Sequence, residues 1–571
     1  MKRILAPLAT AALLLAACAG QQAAPVPHYD VLLRGGMVID GSGGPARLRD
    51  VAIRGDRVAA LLPAGAQASA DRVLDVRGQA VAPGFINVLS WAGEALIEDG
   101  RGLSDLRQGV TLEIFGEGVS MGPLNARMKA AALSEQTHIR YAIEWDTLGG
   151  YLDHLVRRGV SLNVASFVGA TTVRIHVLGE VDRAPTADEL ERMQALVRQA
   201  MREGALGVGA SLIYAPAFFA HTDELVALAK AAGEFGGGYV AHMRSESDLL
   251  LEALEETLNI GREAGVPVEV YHLKAAGARN WPKMQVAIDR IAAARAAGQA
   301  VTANMYAYPA GATGLDAAMP PWVKEGGLDA WVQRLRDPAI RARLLSEMRN
   351  PEPAWENFMQ LAGSPDRVLF IGFRTEALRP YIGKTLAEVA ALRGTSPEDT
   401  IIDLVAEDHY RVDTVYFVMS EDNVRLGLAQ PWVSFGSDAE ASAPEGVFLK
   451  SSVHPRAYGN FARVLGHYVR EQRVLTLEEA VRRFTRLPAT TWKLKDRGCL
   501  DPGCFADLAV FDPATIGDPA TIGDRATFAE PMQFAVGVRH VLVNGELALA
   551  DGEPTAARPG RVVRGPGWAS R

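Results

Sequence analysis

Short runs rich in Val, Ile, Leu and Ala alternate with longer stretches whose apolar residues recur every three or four positions. That alternation dominates the chain from residue 81 to residue 438. The short runs are predicted strands at 81–90, 110–116, 162–169, 205–214, 239–243, 268–273, 301–308 and 432–438. Amphipathic helices are predicted between them, at 188–203, 222–235, 248–264 and 281–297. Eight strands spaced by helices predict an α/β fold, a (β/α)8 barrel. More than a hundred residues separate the last two strands. That is too long for one crossover, so 322–419 is predicted to be an inserted helical subdomain that walls or covers the barrel mouth.

Both ends of the chain have a different rhythm. Residues 28–82 and 498–571 read as short β segments joined by Gly turns, which predicts one small β-sandwich assembled from the two ends, with the barrel occupying 83–497. A tandem pair, Asp512-Pro513-Ala514-Thr515-Ile516-Gly517 and Asp518-Pro519-Ala520-Thr521-Ile522-Gly523, reads as a surface loop expansion without functional weight.

Before residue 28 the pattern is that of a targeting segment. Met1-Lys2-Arg3 is basic, Ile4 to Ala17 is apolar but short for a membrane span, and Leu15-Ala16-Ala17-Cys18 has the form of a bacterial lipoprotein cleavage box. Residues 1–18 are therefore expected to be a signal peptide with Cys18 lipidated, and 19–27 a tether. The alternative is a plain secretory signal cleaved near Ala19. Ala19 after the cysteine favours the outer membrane, with the protein facing the periplasm. The other two cysteines, Cys499 and Cys504, flank a Pro-Gly turn; a disulfide between them is possible in an exported protein but not fixed by sequence.

Composition narrows the function. A chain of 571 residues, 48% hydrophobic and 22% charged, has ample core for a large barrel, and a net charge of −8 argues against nucleic acid as a partner. The chemistry-bearing residues sit at strand ends. His242 and His272 each close a β-branched run, and Asp438 closes the eighth. In a (β/α)8 barrel these ends share one rim, where imidazoles and carboxylates from separate strands can bind a metal.

Several strings extend that pattern: Val81-Ala82-Pro83-Gly84-Phe85-Ile86, Ala241-His242-Met243-Arg244, Tyr271-His272-Leu273-Lys274, Met319-Pro320-Pro321-Trp322, Gly436-Ser437-Asp438 and His454-Pro455-Arg456-Ala457-Tyr458-Gly459. In this order they resemble the N-acyl-D-amino-acid deacylase (D-aminoacylase) branch of the amidohydrolase superfamily, over nearly everything after residue 28. The resemblance implies a metal hydrolase barrel, but two positions depart from the branch. Its His-x-His motif falls on Leu89 and Trp91, and its cysteine ligand falls on Glu117.

The resemblance then implies Glu117, His242 and His272 as ligands of one zinc per chain, or another divalent metal, with water in the fourth position. The second site of the branch is lost. Leu89 and Trp91 are expected to pack where imidazoles would sit, making the site drier. Asp438 is freed to act as a proton shuttle. Lys274, Tyr306 and Arg456 are implied contacts for a substrate carboxylate, with Tyr214 and Arg244 as further pocket residues and Arg174 a weaker one. The expected activity is hydrolysis of a linear amide, an N-acyl amino acid or small peptide. The competing reading is an inactive, lipid-anchored binding protein derived from such an enzyme. A metal-free hydrolase using Asp438 alone would lack an electrophile for an amide.

Overall fold

The computed structural model describes residues 26–351, 355–516 and 525–569. Cys18, the signal segment and most of the tandem loop lie outside the described residues. Among the described residues no helix is long and apolar enough to cross a membrane.

Eight parallel strands form the barrel: Phe85–Asn87, Val110–Phe115, Asn163–Ser166 continued by Val168–Gly169, Gly207–Ser211, Gly238–His242, Val268–Val270, Val301–Met305 and Val433–Phe435. Their residues are buried on both faces, including polar ones such as Glu113, Glu269, Thr302 and Asn304 that alternate with the apolar positions. The eighth strand closes on the first. Asp438 N donates to Leu89 O at 2.9 Å, Trp91 N donates to Ala439 O at 3.0 Å, and Ser90 bridges Ala439 in parallel. Helices Ala187–Arg202, Thr222–Gly233, Leu250–Ala264 and Lys283–Ala296 fill the connections. The first of them starts in a capping box between Thr186 and Glu189, satisfying backbone donors at its N-terminus.

The run predicted as one strand at 81–90 divides. Ala80–Pro83 pairs with Leu508–Phe511, and Phe85–Asn87 enters the barrel. Gly84 is the joint: a Cβ there would lie 2.1 Å from Thr111 Oγ1. The pairing of Ala80–Pro83 with Leu508–Phe511 unites the two ends of the chain in one continuous nine-stranded sheet. Leu33, Val51, Val81, Leu508 and Leu542 share its core. Cys499 and Cys504 form a disulfide beside this sheet.

The insertion is not purely helical, and it starts before residue 322. Gly311–Gly314, Asp413–Tyr416 and Val368–Gly372 make a three-stranded antiparallel sheet, packed with helices such as Leu328–Arg336 and Pro397–Asp408. Strands of four or five residues between strong helical patterns leave little periodicity to detect. The insertion reaches the barrel rim directly. Thr313 meets Tyr214, Met419 meets Tyr306, and Glu356 accepts hydrogen bonds from Ser245 Oγ and Glu246 N, both at 2.7 Å.

Candidate metal centre

Three ligand-type atoms converge at the rim. Glu117 Oε1 lies 3.0 Å from His242 Nδ1 and 2.9 Å from His272 Nε2, and all three side chains are buried. Glu117 sits between Gly116 and Gly118, at φ of +105° and +73°. These glycines let the chain pass its neighbours: a Cβ on Gly116 would lie 2.4 Å from Phe167 O, and one on Gly118 would lie 2.5 Å from Ser211 Cβ.

Two of the chemistry-bearing residues hold strained backbone. His272 has φ 33° and Asp438 has φ 50°, both in the left-handed region that a side chain disfavours. The surroundings fix them there. Asn304 Oδ1 accepts from His272 N at 2.8 Å, and Asn304 Nδ2 donates to buried Glu269 at 2.6 Å. Asp438 is fixed by the strand closure through Leu89.

Sequence reasoning missed Glu246. Its carboxylate lies behind both imidazoles, 2.9 Å from His272 Nδ1 and 3.6 Å from His242 Nε2, and 2.6 Å from Lys274 Nζ. A carboxylate on the outer nitrogen of an imidazole sets its tautomer and orients the inner lone pair towards a metal. The available signal was an acid four residues after His242, in Ser245-Glu246-Ser247, which resembles any polar loop.

The electrostatics follow from this crowding. Burial alone would raise the Glu117 carboxyl, but the facing histidines, His272 foremost, hold it well below the usual range. Burial and Lys274 would lower His272, yet Glu246 and Glu117 outweigh them and lift it to about 9. Burial raises Asp438, with Arg456 opposing and Glu117 reinforcing the rise.

The first-strand residues depart from expectation. Leu89 is buried as expected, but Trp91 is 41% exposed and does not simply fill space. Its indole Nε1 donates to Glu117 Oε2 and to Asp438 Oδ1, each at 3.0 Å. The site is therefore more tightly hydrogen-bonded than an apolar replacement would make it.

Of the substrate candidates, Arg456 stands next to the centre. Its Nη2 pairs with Asp438 Oδ2 at 2.9 Å, and its guanidinium lies 4.4 Å from the Tyr306 ring centroid. Arg456 Nε and Nη1 are buried without a hydrogen-bond partner. Lys274 is close too, but its ammonium donates to Glu246 at 2.6 Å, beside His272 Nδ1. Tyr214 stacks edge-on to His242 and bonds Thr313 at 2.7 Å.

Arg244 and Arg174 are not brought into the centre with free donors. Arg244 is held by Glu256 and by the carbonyls of Phe218 and Ala220. Arg174 makes a buried ion pair with Glu224 at 2.5 Å. Arg244 instead lines a cavity of about 900 Å³ with Phe218, Glu256, Trp322, Glu347 and Trp355, to which none of the three convergent residues contributes.

The model of the amidohydrolase family matches residues 116–548, and the chain belongs to that family. It is 34% identical over 544 residues to the D-aminoacylase of Alcaligenes xylosoxydans xylosoxydans, covering 94% of this chain and 97% of the relative. Among solved structures it is similar to an N-acyl-D-glutamate deacylase from Bordetella bronchiseptica complexed with zinc and a phosphonate inhibitor that mimics the tetrahedral intermediate. The TM-score is 0.77 at 32% identity, over 94% of this chain and 100% of that one. It is also similar, with TM-score 0.77 and 33% identity over the same shares, to a D-aminoacylase described as having a binuclear metal center with one-metal activation and second-metal attenuation. Within the family, this chain falls on the D-aminoacylase side, and it is an amidohydrolase.

Proposed function

We propose that this protein hydrolyses the amide bond of an N-acyl amino acid that carries a free carboxylate, using one divalent cation held by Glu117, His242 and His272. The observation that carries the reading is the convergence of Glu117 Oε1 on His242 Nδ1 and His272 Nε2, backed by Glu246. A His2Glu donor set suits zinc and leaves a coordination position open. Zinc and the D series of substrates come first because of what the relatives' names state. When bound, such an ion supplies Lewis acidity, polarising the amide carbonyl and lowering the pKa of a water in the site.

The chain's own groups do the rest. Asp438 takes the proton of the attacking water on a carboxylate oxygen and passes it to the leaving nitrogen. Each of its oxygens has two acceptor sites, so the bonds to Trp91 and Arg456 leave capacity for that proton. Arg456 Nε and Nη1, buried and unpartnered, are positioned to bind the substrate carboxylate, with Tyr306 beneath the guanidinium.

Arg456→Ala is expected to lower kcat/KM on a free-acid substrate by about 1–3 kcal/mol more than on its methyl ester. The ester reports what is lost through the Asp438 pairing, and the excess on the acid reports the carboxylate contact. Equal losses on both would remove the carboxylate role.

The lipoprotein box at Cys18 supports a location outside the cytoplasm, anchored by acyl chains to the outer membrane and facing the periplasm. A disulfide at Cys499–Cys504 fits an oxidising compartment. Cys18→Ser is expected to move the protein from the membrane to the soluble fraction. Membrane retention equal to the parent's would refute the anchor.

A further inference from the structure

We infer that Trp91 is a positioning residue for Asp438, its indole N–H clamping two carboxylates together. The inference rests on the deacylase reading above. Glu117 and Asp438 carry like charge when ionised, and their side chains are only 3% and 10% exposed. Left alone at close range they would repel each other and drift apart. Trp91 Nε1 lies 3.0 Å from an oxygen of each, so a single N–H is shared between them.

Indole nitrogen has no lone pair available for a metal; it donates only. Trp91 therefore cannot act as a ligand, and its ring occupies the space beside the two acids. A role in core packing does not account for the residue either. The ring is 41% exposed, while the N–H is the end that reaches inwards. The backbone aims it: Trp91 N donates to Ala439 O, and Asp438 N donates to Leu89 O, so the two strand ends are joined on either side of the contact. The clamp keeps Asp438 beside the carboxylate that faces the metal centre, which is where a proton shuttle must stand.

The test uses Trp91→Phe in the full chain, which keeps a ring and deletes the donor. Metal per chain should stay at the parent's value and KM should change little. The kcat should fall by about ten- to a hundredfold, since hydrogen bonds to a charged group are lost. An unchanged kcat would overturn the inference. So would loss of the metal, or a KM that rises as much as kcat falls, because either would mark Trp91 as generally structural. A second arm does not depend on activity. In protein labelled with 15N-tryptophan, the indole resonance missing from Trp91→Phe should shift in Asp438→Ala. If it did not move, the clamp would be absent, whatever the enzyme's substrate proves to be. If it moved while the parent hydrolysed no N-acyl amino acid, the substrate reading would fail and the clamp would stand.

Discussion

Asp438→Asn is expected to retain its metal and bind substrate almost as the parent does, yet lose about 10²–10⁴-fold in kcat. Asparagine keeps the shape of the side chain, and its carbonyl can still accept the Trp91 N–H. It cannot take a proton from water, and it gives up the ion pair that Asp438 Oδ2 makes with Arg456 at 2.9 Å. Release of that guanidinium would favour ground-state binding of a carboxylate, so KM is expected to hold or fall. The separation of kcat from KM is the informative part. A variant within about threefold of the parent in kcat would remove Asp438 from proton transfer.

His242→Ala is expected to abolish both metal retention and activity. It removes one of the three convergent ligand residues and leaves a cavity lined by buried polar groups. Adding zinc should stabilise the parent against heat by about 2.7 kcal/mol at a hundredfold excess over its dissociation constant. The variant should show no such response at the same concentration. His242 is the cleaner choice than His272, whose left-handed backbone adds a conformational effect to any substitution. A variant that still bound one equivalent and was stabilised like the parent would exclude His242 as a ligand.

The barrel was legible because short buried strands alternate with helices at a regular spacing. His242, His272 and Asp438 stand at the ends of such strands, where the fold itself dictates a common rim. Glu117 was legible only through the resemblance, which sets it where the branch has its cysteine ligand after the second strand. What the pattern does not encode is the direction of residues once a strand has ended. Trp91 lies past the end of the first strand, and nothing in its neighbours foretells that its N–H reaches two carboxylates while its ring faces out. Glu246 has the same difficulty in a Ser-Glu-Ser loop, since its burial comes from Lys274, two histidines and a glutamate on the insertion. The positive φ of His272 and Asp438 is likewise imposed by tertiary bonds, not by local preference. The break at Gly84 was hidden because two adjoining short strands look like one long apolar run.

Occupancy and turnover measured on one sample test the central claim most directly. The purified full chain should contain one divalent ion per protein by elemental analysis. Chelation should abolish hydrolysis of N-acyl-D-amino acids, and one equivalent of zinc, cobalt or manganese should restore it. A protein that neither contained nor took up such an ion, and stayed inactive when supplied with it, would contradict the account and leave a binding protein built on an amidohydrolase barrel.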